Sequence, residues 1–378
     1  MSTLKKQKIV ISGYYGYDNC GDEAVLLSII HSLKSLCPSA QITVLSGNPK
    51  KTQELYSVDA LNRWNLPAIA LRLLSARLLI SGGGSLIQDV TSARSSMYYL
   101  GIIRLALFLK TKVMVYAQGV GPLISEKVRA DTAKVFSRCH AITLRDGASA
   151  QLLKELGVAG DMQVACDPVM TLTLDDVPTD TLNKLKLEFG LADRSEEKRK
   201  PLLFVSVRYW KDNEFFSPVA EFLDRQSEDG WYIILVPAHF PQDVEAGRFL
   251  STKMSSHPKL IERCLNAEEF IALTAIADRV FSMRLHGLIC AAAVGTPMIG
   301  LSYDPKVDAF MGKLGMDDFC LQYDSFTSDA AESLFKQMPH KLSPDSHGDE
   351  PDNSVSPYIS DMRKLAWEPA NTAINLLK

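Results

Sequence analysis

Short runs of apolar and β-branched residues alternate along the chain with longer segments whose apolar residues recur at helical spacing. Residues 8–12 (KIVIS) are the first such run, and residues 21–36 then show helical spacing. Strands that alternate with helices in this way are typical of parallel βαβ units. In the first half of the chain the predicted strands are residues 8–12, 42–45, 77–80, 112–117, 140–144 and 162–165, and the predicted helices are residues 21–36, 97–109, 126–138 and 147–156.

The second half of the chain repeats this alternation after a polar and charged interval. A chain of 378 residues is long enough to form two domains, each with its own hydrophobic core. The sequence predicts the fold class α/β, with two Rossmann-like domains facing a cleft. The later predicted strands are residues 202–207, 232–236, 279–281 and 298–301. The predicted division is an N-terminal domain at residues 1–172, a linker region at 173–200, a C-terminal domain at 201–356 that ends in a polar loop at 343–356, and a C-terminal helix at 357–378.

The charge balance and the cysteine content restrict the possible functions. Lysine and arginine total 41 against 44 aspartate and glutamate residues, so the net charge of −3 gives no indication of nucleic-acid binding. The seven cysteines show neither zinc-ligand nor disulfide spacing, which fits a reducing cytoplasm. We therefore expect a cytoplasmic protein that needs no metal and no cofactor.

The most apolar stretches of the chain are too short to cross a membrane. Residues 66–80 and 98–109 are interrupted by arginines, and the first residues lack the apolar core of a signal peptide. If a substrate is linked to lipid, we expect peripheral contact at the inner face of the cell membrane.

Two glycine-rich loops follow predicted strands. Glycine lets a ligand approach the backbone at the carboxyl edge of an open α/β sheet, and a following helix N-terminus favours anions. The first loop, SGYYGYDNCGDEA, lacks the G-x-G-x-x-G spacing of a dinucleotide site; the second is SGGGSLIQDVTSARS. The alternative interpretation is that these glycines only turn the chain. The candidate acceptor-binding residues are Gly16, Asp18, Asn19, Gly83, Gly84, Gln88 and Asp89.

Three arginines directly follow predicted strands of both halves. They are Arg145 (ITLRDG), Arg208 (VSVRYW) and Arg284 (SMRLHG). Guanidinium groups match the planar carboxylate and the phosphate of a small anion, so these positions predict an anion site. The alternative for each is a surface ion pair, for example between Arg145 and Asp146.

The segment RLHGLICAAAVGTPMIGLSYDPKV is the most informative part of the sequence. His286 comes two residues after Arg284 and just before a helix of small residues, a position that favours bound anions. Lys306 follows the next strand and is expected to add a point charge. The alternative for His286 is a structural role in the turn. His239 and Asp167 also follow strands, and we rank them second.

Together these segments resemble the polysaccharide pyruvyl transferase family, in particular CsaB-type bacterial cell-wall enzymes. The matching stretches are the two glycine loops, YYLGIIRLA, VYAQGVGP, ITLRDGAS, DPV, VSVRYW and RLHGLICAAAVGTP with SYDPKV. The resemblance implies a GT-B-like fold, phosphoenolpyruvate as the pyruvyl donor, a ketal on the 4- and 6-hydroxyls of a sugar, and release of phosphate.

The resemblance also implies roles for individual residues. His286 and Arg284 would be catalytic, with His286 as the general acid, and Arg145, Arg208, Arg284 and Lys306 would bind phosphoenolpyruvate. The acceptor would be N-acetylmannosamine in a lipid-linked precursor of a secondary cell-wall polymer, whose pyruvylated sugars anchor surface-layer proteins. Asp18 and Asp89 are the candidate bases for the sugar hydroxyls.

Three other interpretations remain at this stage. A GT-B sugar-nucleotide glycosyltransferase would have the same architecture. Pyruvylation of an exopolysaccharide repeat unit would use the same motifs. A binding protein for an anionic metabolite would use the arginines without turnover.

Overall fold

A computed structural model describes residues 7–90, 93–191, 200–338 and 356–378 of the chain. These residues divide into two compact units. The first consists of the residues up to Tyr17, Asp22–Thr171 and Met362–Lys378, and the second of Asp18–Gly21 and Leu172–Asp361. Residues 192–199 of the predicted linker region and 339–355, which hold nearly all of the predicted polar loop, lie outside the described residues.

The described residues form parallel strands and helices in alternation. The strands are β1 (Lys8–Ser12), β2 (Gln41–Ser46), β3 (Asp59–Asn62), β4 (Leu78–Gly82), β5 (Lys112–Gln118), β6 (Ala141–Leu144), β7 (Met162–Val164), β8 (Leu202–Ser206), β9 (Tyr232–Leu235), β10 (Lys259–Leu260), β11 (Arg279–Ser282), β12 (Met298–Ser302) and β13 (Cys320–Gln322). The helices are α1 (Cys20–Leu36), α2 (Pro49–Tyr56), α3 (Leu66–Ser75), α4 (Ala93–Phe108), α5 (Glu126–Phe136), α6 (Gly147–Glu155), α7 (Thr179–Phe189), α8 (Phe216–Glu228), α9 (Gln242–Lys253), α10 (Ala267–Ile276), α11 (Leu285–Val294), α12 (Pro305–Lys313), α13 (Ser328–Gln337) and α14 (Ser356–Leu377).

All of the strands predicted from the sequence are present, and three further strands were missed. The missed strands β3, β10 and β13 lie at or near sheet edges, where fewer side chains are buried. In β3 (DALN) only the alanine is buried, so the apolar pattern that predicts a strand is lacking. Short helices α2 and α3 were likewise not predicted.

The first unit contains a seven-stranded parallel sheet in the order β3-β2-β1-β4-β5-β6-β7. Every residue of β4 and nearly every residue of β1 and β5 is buried, as expected for a parallel sheet that is covered on both faces. One face packs on α3, α4 and α5 around residues such as Val10, Leu79 and Val113. We call this the α4 face.

Strand β5 contains a bulge near its carboxyl end. Val115 pairs with Ile142 and Gln118 pairs with Leu144, so three steps along β5 match two along β6. Ala117 within the bulge has φ 42°, and its N–H donates to the Thr143 hydroxyl at 2.8 Å. Because neighbouring paired residues point to the same face, the bulge moves Gln118 onto the α4 face together with Leu144.

The second unit contains a six-stranded parallel sheet in the order β10-β9-β8-β11-β12-β13. Its core includes an aromatic cluster on one face of the sheet, in which the Phe222 ring contacts both Phe281 and Phe335. Helix α7 packs on α10, and Lys184 and Arg263 form ion pairs with Glu269 there. None of the described helices combines the length and the apolar character needed to span a bilayer.

Candidate active site

Arg284 and a buried carboxylate form the centre of the site in the second unit. Arg284 follows β11 and precedes the first residue of α11. Its Nε donates to Asp243 Oδ2 at 2.9 Å and its Nη2 donates to Oδ1, which makes a two-pronged ion pair. The Asp243 side chain is 1% exposed, and the same Oδ2 accepts the N–H groups of Ala238 (3.2 Å) and His239 (2.9 Å). One carboxylate therefore fixes both Arg284 and the loop after β9.

The Asp18–Gly21 segment packs directly on that loop. Asn19 and His239 form an antiparallel bridge, the Cys20 N–H donates to the Ala238 carbonyl at 2.7 Å, and the Phe240 N–H donates to the Asp18 carbonyl at 3.0 Å. Asp18 adopts a left-handed backbone with φ 56°. The two candidate acceptor residues Asp18 and Asn19 therefore lie beside the second sheet's carboxyl edge.

His286 lies in the first turn of α11, half-buried, with its ring against Gly21. A Cβ added to Gly21 would lie 2.3 Å from His286 Nδ1, so any side chain at position 21 would collide with the imidazole. The N-cap residue of α11, Arg284, makes no side-chain cap hydrogen bond, and a helix N-terminus of this kind favours a bound anion.

His239 lies between the charged groups of this edge. Burial lowers the pKa of His239 below its ordinary value, and Arg284 and Arg208 lower it further, while Asp243 and Asp18 raise it. Arg208, Arg284, Asp243 and Asp18 are therefore all close enough to His239 to act on its charge. The sequence ranks His239 second, whereas the structure shows that it interacts with four charged groups at this edge.

Arg208 is held by aromatic side chains. Its Nη1 donates to the Tyr303 hydroxyl at 3.0 Å, and its guanidinium lies 5.0 Å from the Tyr303 ring and 5.4 Å from the Trp210 ring. This arrangement fixes the guanidinium, and no carboxylate of residues 7–90, 93–191, 200–338 or 356–378 forms an ion pair with it. Lys306, the second residue of α12, is half-buried, and its N–H donates to the Asp304 carboxylate at 3.0 Å.

Arg145 belongs to the first unit, whereas Arg208, Arg284 and Lys306 belong to the second. It is buried, and its Nη1 lies 3.2 Å from Asp167 Oδ2, while Nη2 donates to the Ser85 hydroxyl at 3.1 Å. Asp146, the partner suggested by the sequence, is farther away at 3.9 Å. The stronger partner is Asp167, 22 residues along the chain.

The glycines of the two loops have packing roles. Gly16 has φ 80°, and a Cβ there would lie 2.3 Å from the Ser46 hydroxyl. Gly83 has φ 60°, and a Cβ there would lie 1.9 Å from Val25 Cγ1, while Gly84 continues the same left-handed turn. Chain turning and tight packing are therefore each a sufficient reason for glycine at these positions, whether or not a ligand also lies there.

Gln88 and Asp89 make contacts within their own part of the first unit. The two Asp89 carboxylate oxygens accept the N–H groups of Ile124 (2.6 Å) and Ser125 (2.7 Å), which fixes the start of α5. Gln88 Oε1 accepts the Val90 N–H at 3.2 Å. Among the described residues no group of three or more His, Cys, Asp or Glu side chains could hold a metal ion.

Sequence reasoning missed Asp243 entirely. Its only local sign is its place in the first turn of a helix four residues after His239, where acids are common for reasons unrelated to function. Its partner Arg284 is 41 residues away in sequence.

Comparison with known proteins gives a family and a fold. The sequence profile of the polysaccharide pyruvyl transferase family matches residues 19–305. No curated protein matches the chain. Similar solved structures include Anabaena HepE in complex with UDP-glucose (13% identity, TM-score 0.58, 98% of both chains) and UDP-GlcNAc 2-epimerase from Neisseria meningitidis (12% identity, TM-score 0.61, 98% of this chain and 99% of that one). A third is ADP-heptose heptosyltransferase II from E. coli (12% identity, TM-score 0.50, 88% of this chain and 99% of that one).

At these identities the likeness concerns the fold alone. It agrees with the two parallel sheets, each with its own core and its own helices. The predicted α/β class with two Rossmann-like, GT-B-like domains is confirmed.

Proposed function

Because the chain belongs to the polysaccharide pyruvyl transferase family, we propose that it moves the pyruvyl group of phosphoenolpyruvate onto a sugar as a 4,6-ketal and releases phosphate. The observation that carries this proposal is the cation group at the second sheet's edge. Arg208 and Arg284 flank His239, and His286 stands at the N-terminus of α11. A small molecule with a carboxylate and a phosphate matches two guanidinium groups and a helix N-terminus.

The proposed chemistry begins with a proton transfer. His286 donates a proton to the methylene carbon of phosphoenolpyruvate while a first sugar hydroxyl adds to the neighbouring carbon and loses its proton. The bond from that carbon to the phosphate oxygen then breaks, and its electron pair leaves with phosphate. A second hydroxyl adds to the resulting oxocarbenium ion. The proposed base takes up the proton of the first hydroxyl, which balances the proton given by His286, and the proton of the second hydroxyl leaves with phosphate.

Arg208, Arg284 and Lys306 are proposed to neutralise the charge that grows on the departing phosphate. Arg284 is already oriented by Asp243, so little reorganisation is needed when substrate binds. Arg145 remains a proposed donor ligand from the first unit. For the base, the structure favours Asp18 over Asp89, because both oxygens of Asp89 already accept backbone N–H groups.

We propose the cell-wall acceptor implied by the resemblance, N-acetylmannosamine on a lipid diphosphate, and a cytoplasmic enzyme that contacts the membrane peripherally. Gly16, Asn19, Gly83, Gly84 and Gln88 remain proposed neighbours of this acceptor. The product would belong to a secondary cell-wall polymer whose pyruvylated sugars anchor surface-layer proteins.

The outer side of α3 supports the membrane contact. Trp64, Leu71 and Leu74 are 64%, 70% and 61% exposed, and Leu66 is also exposed. Residues 60–88 contain arginine but no aspartate or glutamate. An apolar helix face without acidic residues is suited to an anionic lipid surface.

The deciding experiment measures phosphate release from phosphoenolpyruvate by the purified chain with a synthetic diphosphate-linked disaccharide that contains N-acetylmannosamine. Acceptor-dependent release, with a pyruvyl mass gain on the sugar, is expected, and His286→Gln should abolish it. Activity only with exopolysaccharide precursors would support the proposed pyruvyl transfer but reject the cell-wall acceptor. Turnover of a nucleotide sugar instead would reject the reaction, and binding without any turnover would favour a metabolite sensor.

A further inference from the structure

Arg63 is a buried cation without a carboxylate partner. It follows β3 and is 4% exposed, and none of the described residues brings a carboxylate within ion-pair distance of it. Its Nη1 makes only long contacts, 3.3 Å to the Tyr99 hydroxyl and 3.5 Å to the Gly13 carbonyl, and its Nε has no hydrogen-bond partner among the described residues. A buried charge normally has a counter-charge, so this one calls for an explanation.

Aromatic rings enclose the Arg63 guanidinium but do not neutralise it. The ring centroids of Tyr98, Tyr99, Trp64 and Tyr17 lie 4.1, 5.1, 5.3 and 5.5 Å away. Burial raises the pKa of Tyr99 to about 12 although Arg63 opposes the shift, so this phenol stays uncharged at neutral pH. Cation–π contacts fix the guanidinium in place and leave its positive charge available.

Three more polar side chains without partners share this sheet edge. Ser12 ends β1, its paired residue Ser81 lies near the end of β4, and Gln118 ends β5; these are neighbouring strands. The Ser12 and Ser81 hydroxyls and both amide atoms of Gln118 are buried and lack hydrogen-bond partners among the described residues. Most buried polar groups are hydrogen-bonded, so a group of exceptions at one edge indicates a ligand.

Register places these side chains on one face of the sheet. Ser12 pairs with Leu45, a residue of the α4 face, and the bulge at Ala117 brings Gln118 onto the same face as Leu144. Arg63 contacts the α4 residues Tyr98 and Tyr99, so it lies on this side too. The left-handed backbone at Ala117 is strained, and strain of this kind is concentrated at functional sites.

We propose that Arg63, Ser12, Ser81 and Gln118 form an oxyanion pocket in the first unit that takes a phosphate group. Arg63 supplies the charge, and the hydroxyls and the amide supply hydrogen bonds to phosphate oxygens. The pocket differs from the cation group around Arg208 and Arg284, which lies in the other unit. The identity of the phosphate rests on the proposed function: we assign it to the diphosphate of the acceptor, which would place the attached lipid near the exposed leucines of α3.

The first test does not depend on turnover. Trp64 lies beside Arg63 and Trp210 beside Arg208, so the ¹⁹F resonances of 5-fluorotryptophan in the full chain report on the two places separately. The Trp64 resonance is assigned by its loss in Trp64→Phe. Titration with inorganic pyrophosphate should shift this resonance, and the shift should reach saturation. Arg63→Met should weaken this response at least about tenfold, equivalent to 1.4 kcal/mol, and leave the Trp210 response unchanged.

Arg104→Met is the matched control, because Arg104 lies on α4 but is paired with Asp131 at 2.6 Å. It should titrate like the wild type. If Arg63→Met does not fold, Gln118→Leu serves instead, since the amide atoms that it removes have no hydrogen-bond partner in the part of the chain that the structure describes. A Trp64 resonance that does not move, or that moves equally in Arg63→Met, would overturn the pocket.

A second test identifies the source of the phosphate. With Arg63→Met, KM should rise at least about tenfold for the diphosphate-linked acceptor and stay unchanged for phosphoenolpyruvate and for the same disaccharide on a neutral aglycone. A rise in KM for phosphoenolpyruvate alone would support the pocket as a phosphate site but would assign that phosphate to the donor. Unchanged KM values for both phosphate-bearing substrates would refute a role in the reaction. If the chain has no pyruvyl transferase activity, only the resonance shifts bear on the pocket.

Discussion

Alanine at position 21 is a direct test of whether the position of His286 matters for the reaction. The added methyl carbon would lie 2.3 Å from His286 Nδ1 and 2.6 Å from its Cγ, whereas ordinary contact begins near 3.4 Å. The ring must therefore move by about 1.1 Å. A displacement of about 1 Å in a catalytic group can reduce the rate about 100-fold, or by about 2.7 kcal/mol in the activation free energy.

We expect Gly21→Ala to lower kcat about 100-fold at saturating phosphoenolpyruvate, with a smaller change in KM. The fold should be retained, because Gly21 lies in α1 without a left-handed backbone and alanine favours a helix. Steady-state phosphate release measures the rate, and thermal unfolding measures stability. Gly101→Ala in α4 is the matched control, since nothing lies within 4 Å of its added Cβ.

A Gly21→Ala enzyme with wild-type kcat would refute the reasoning, because it would mean that the imidazole position is not critical. A large loss of thermal stability in this variant would also contradict it. Gly101→Ala should keep full activity and be equally or slightly more stable, by up to about 1 kcal/mol.

Three further predictions concern Asp243, His239 and the outer side of α3. Asp243→Asn should lower the free energy of unfolding by about 3 kcal/mol, because it leaves the Arg284 charge without its buried partner; urea unfolding measures this effect. The same variant should raise KM for phosphoenolpyruvate, which steady-state kinetics measures. The lowered pKa of His239 means that the folded protein binds a proton at this residue less readily than the unfolded chain does. The free energy of unfolding should therefore fall as the pH drops below about 6.5. His239→Gln should reduce this dependence on pH, measured by urea unfolding between pH 7.5 and 5.5. The double variant Leu71→Glu and Leu74→Glu should lower sedimentation with anionic lipid vesicles at least about tenfold, since exposed apolar area is replaced by negative charge.

Each of these predictions has a contrary outcome. Wild-type stability of Asp243→Asn would mean that the ion pair contributes little. An unchanged pH slope in His239→Gln would assign the slope to other groups, such as His140, whose pKa burial also lowers. Wild-type vesicle binding by the leucine variant, measured against Leu187→Glu as the exposed control, would reject α3 as the membrane contact.

The sequence predicted those parts of the site that are close together in the chain. Arg284 and His286 are two residues apart, so any fold that ends a strand before them brings them to one sheet edge. The buried strands could also be predicted from the sequence, because buried parallel strands are continuous apolar runs. Where that signal weakens, as in the exposed edge strand β3, prediction failed.

Contacts between distant residues could not be predicted in this way. The sequence offers Asp146 as an alternative ion-pair partner of Arg145, and the fold adds Asp167, which is closer at 3.2 Å than Asp146 at 3.9 Å. Asp18 and Asn19 are in the first glycine loop, yet their backbone hydrogen bonds are with the loop after β9. Such partners depend on which strand ends become neighbours, and a local pattern does not contain that information.

Local periodicity accounts for the alternation of strands and helices, for the α/β class and for the arginine and histidine positions at strand ends, so these features could be predicted from the sequence. The folded structure was needed to show that Asp243 holds Arg284 and that Arg63 is buried with no counter-charge among the described residues. The physical reason is that the state of a charge depends on burial and on its neighbours in space. Those are set by packing between segments far apart in the chain.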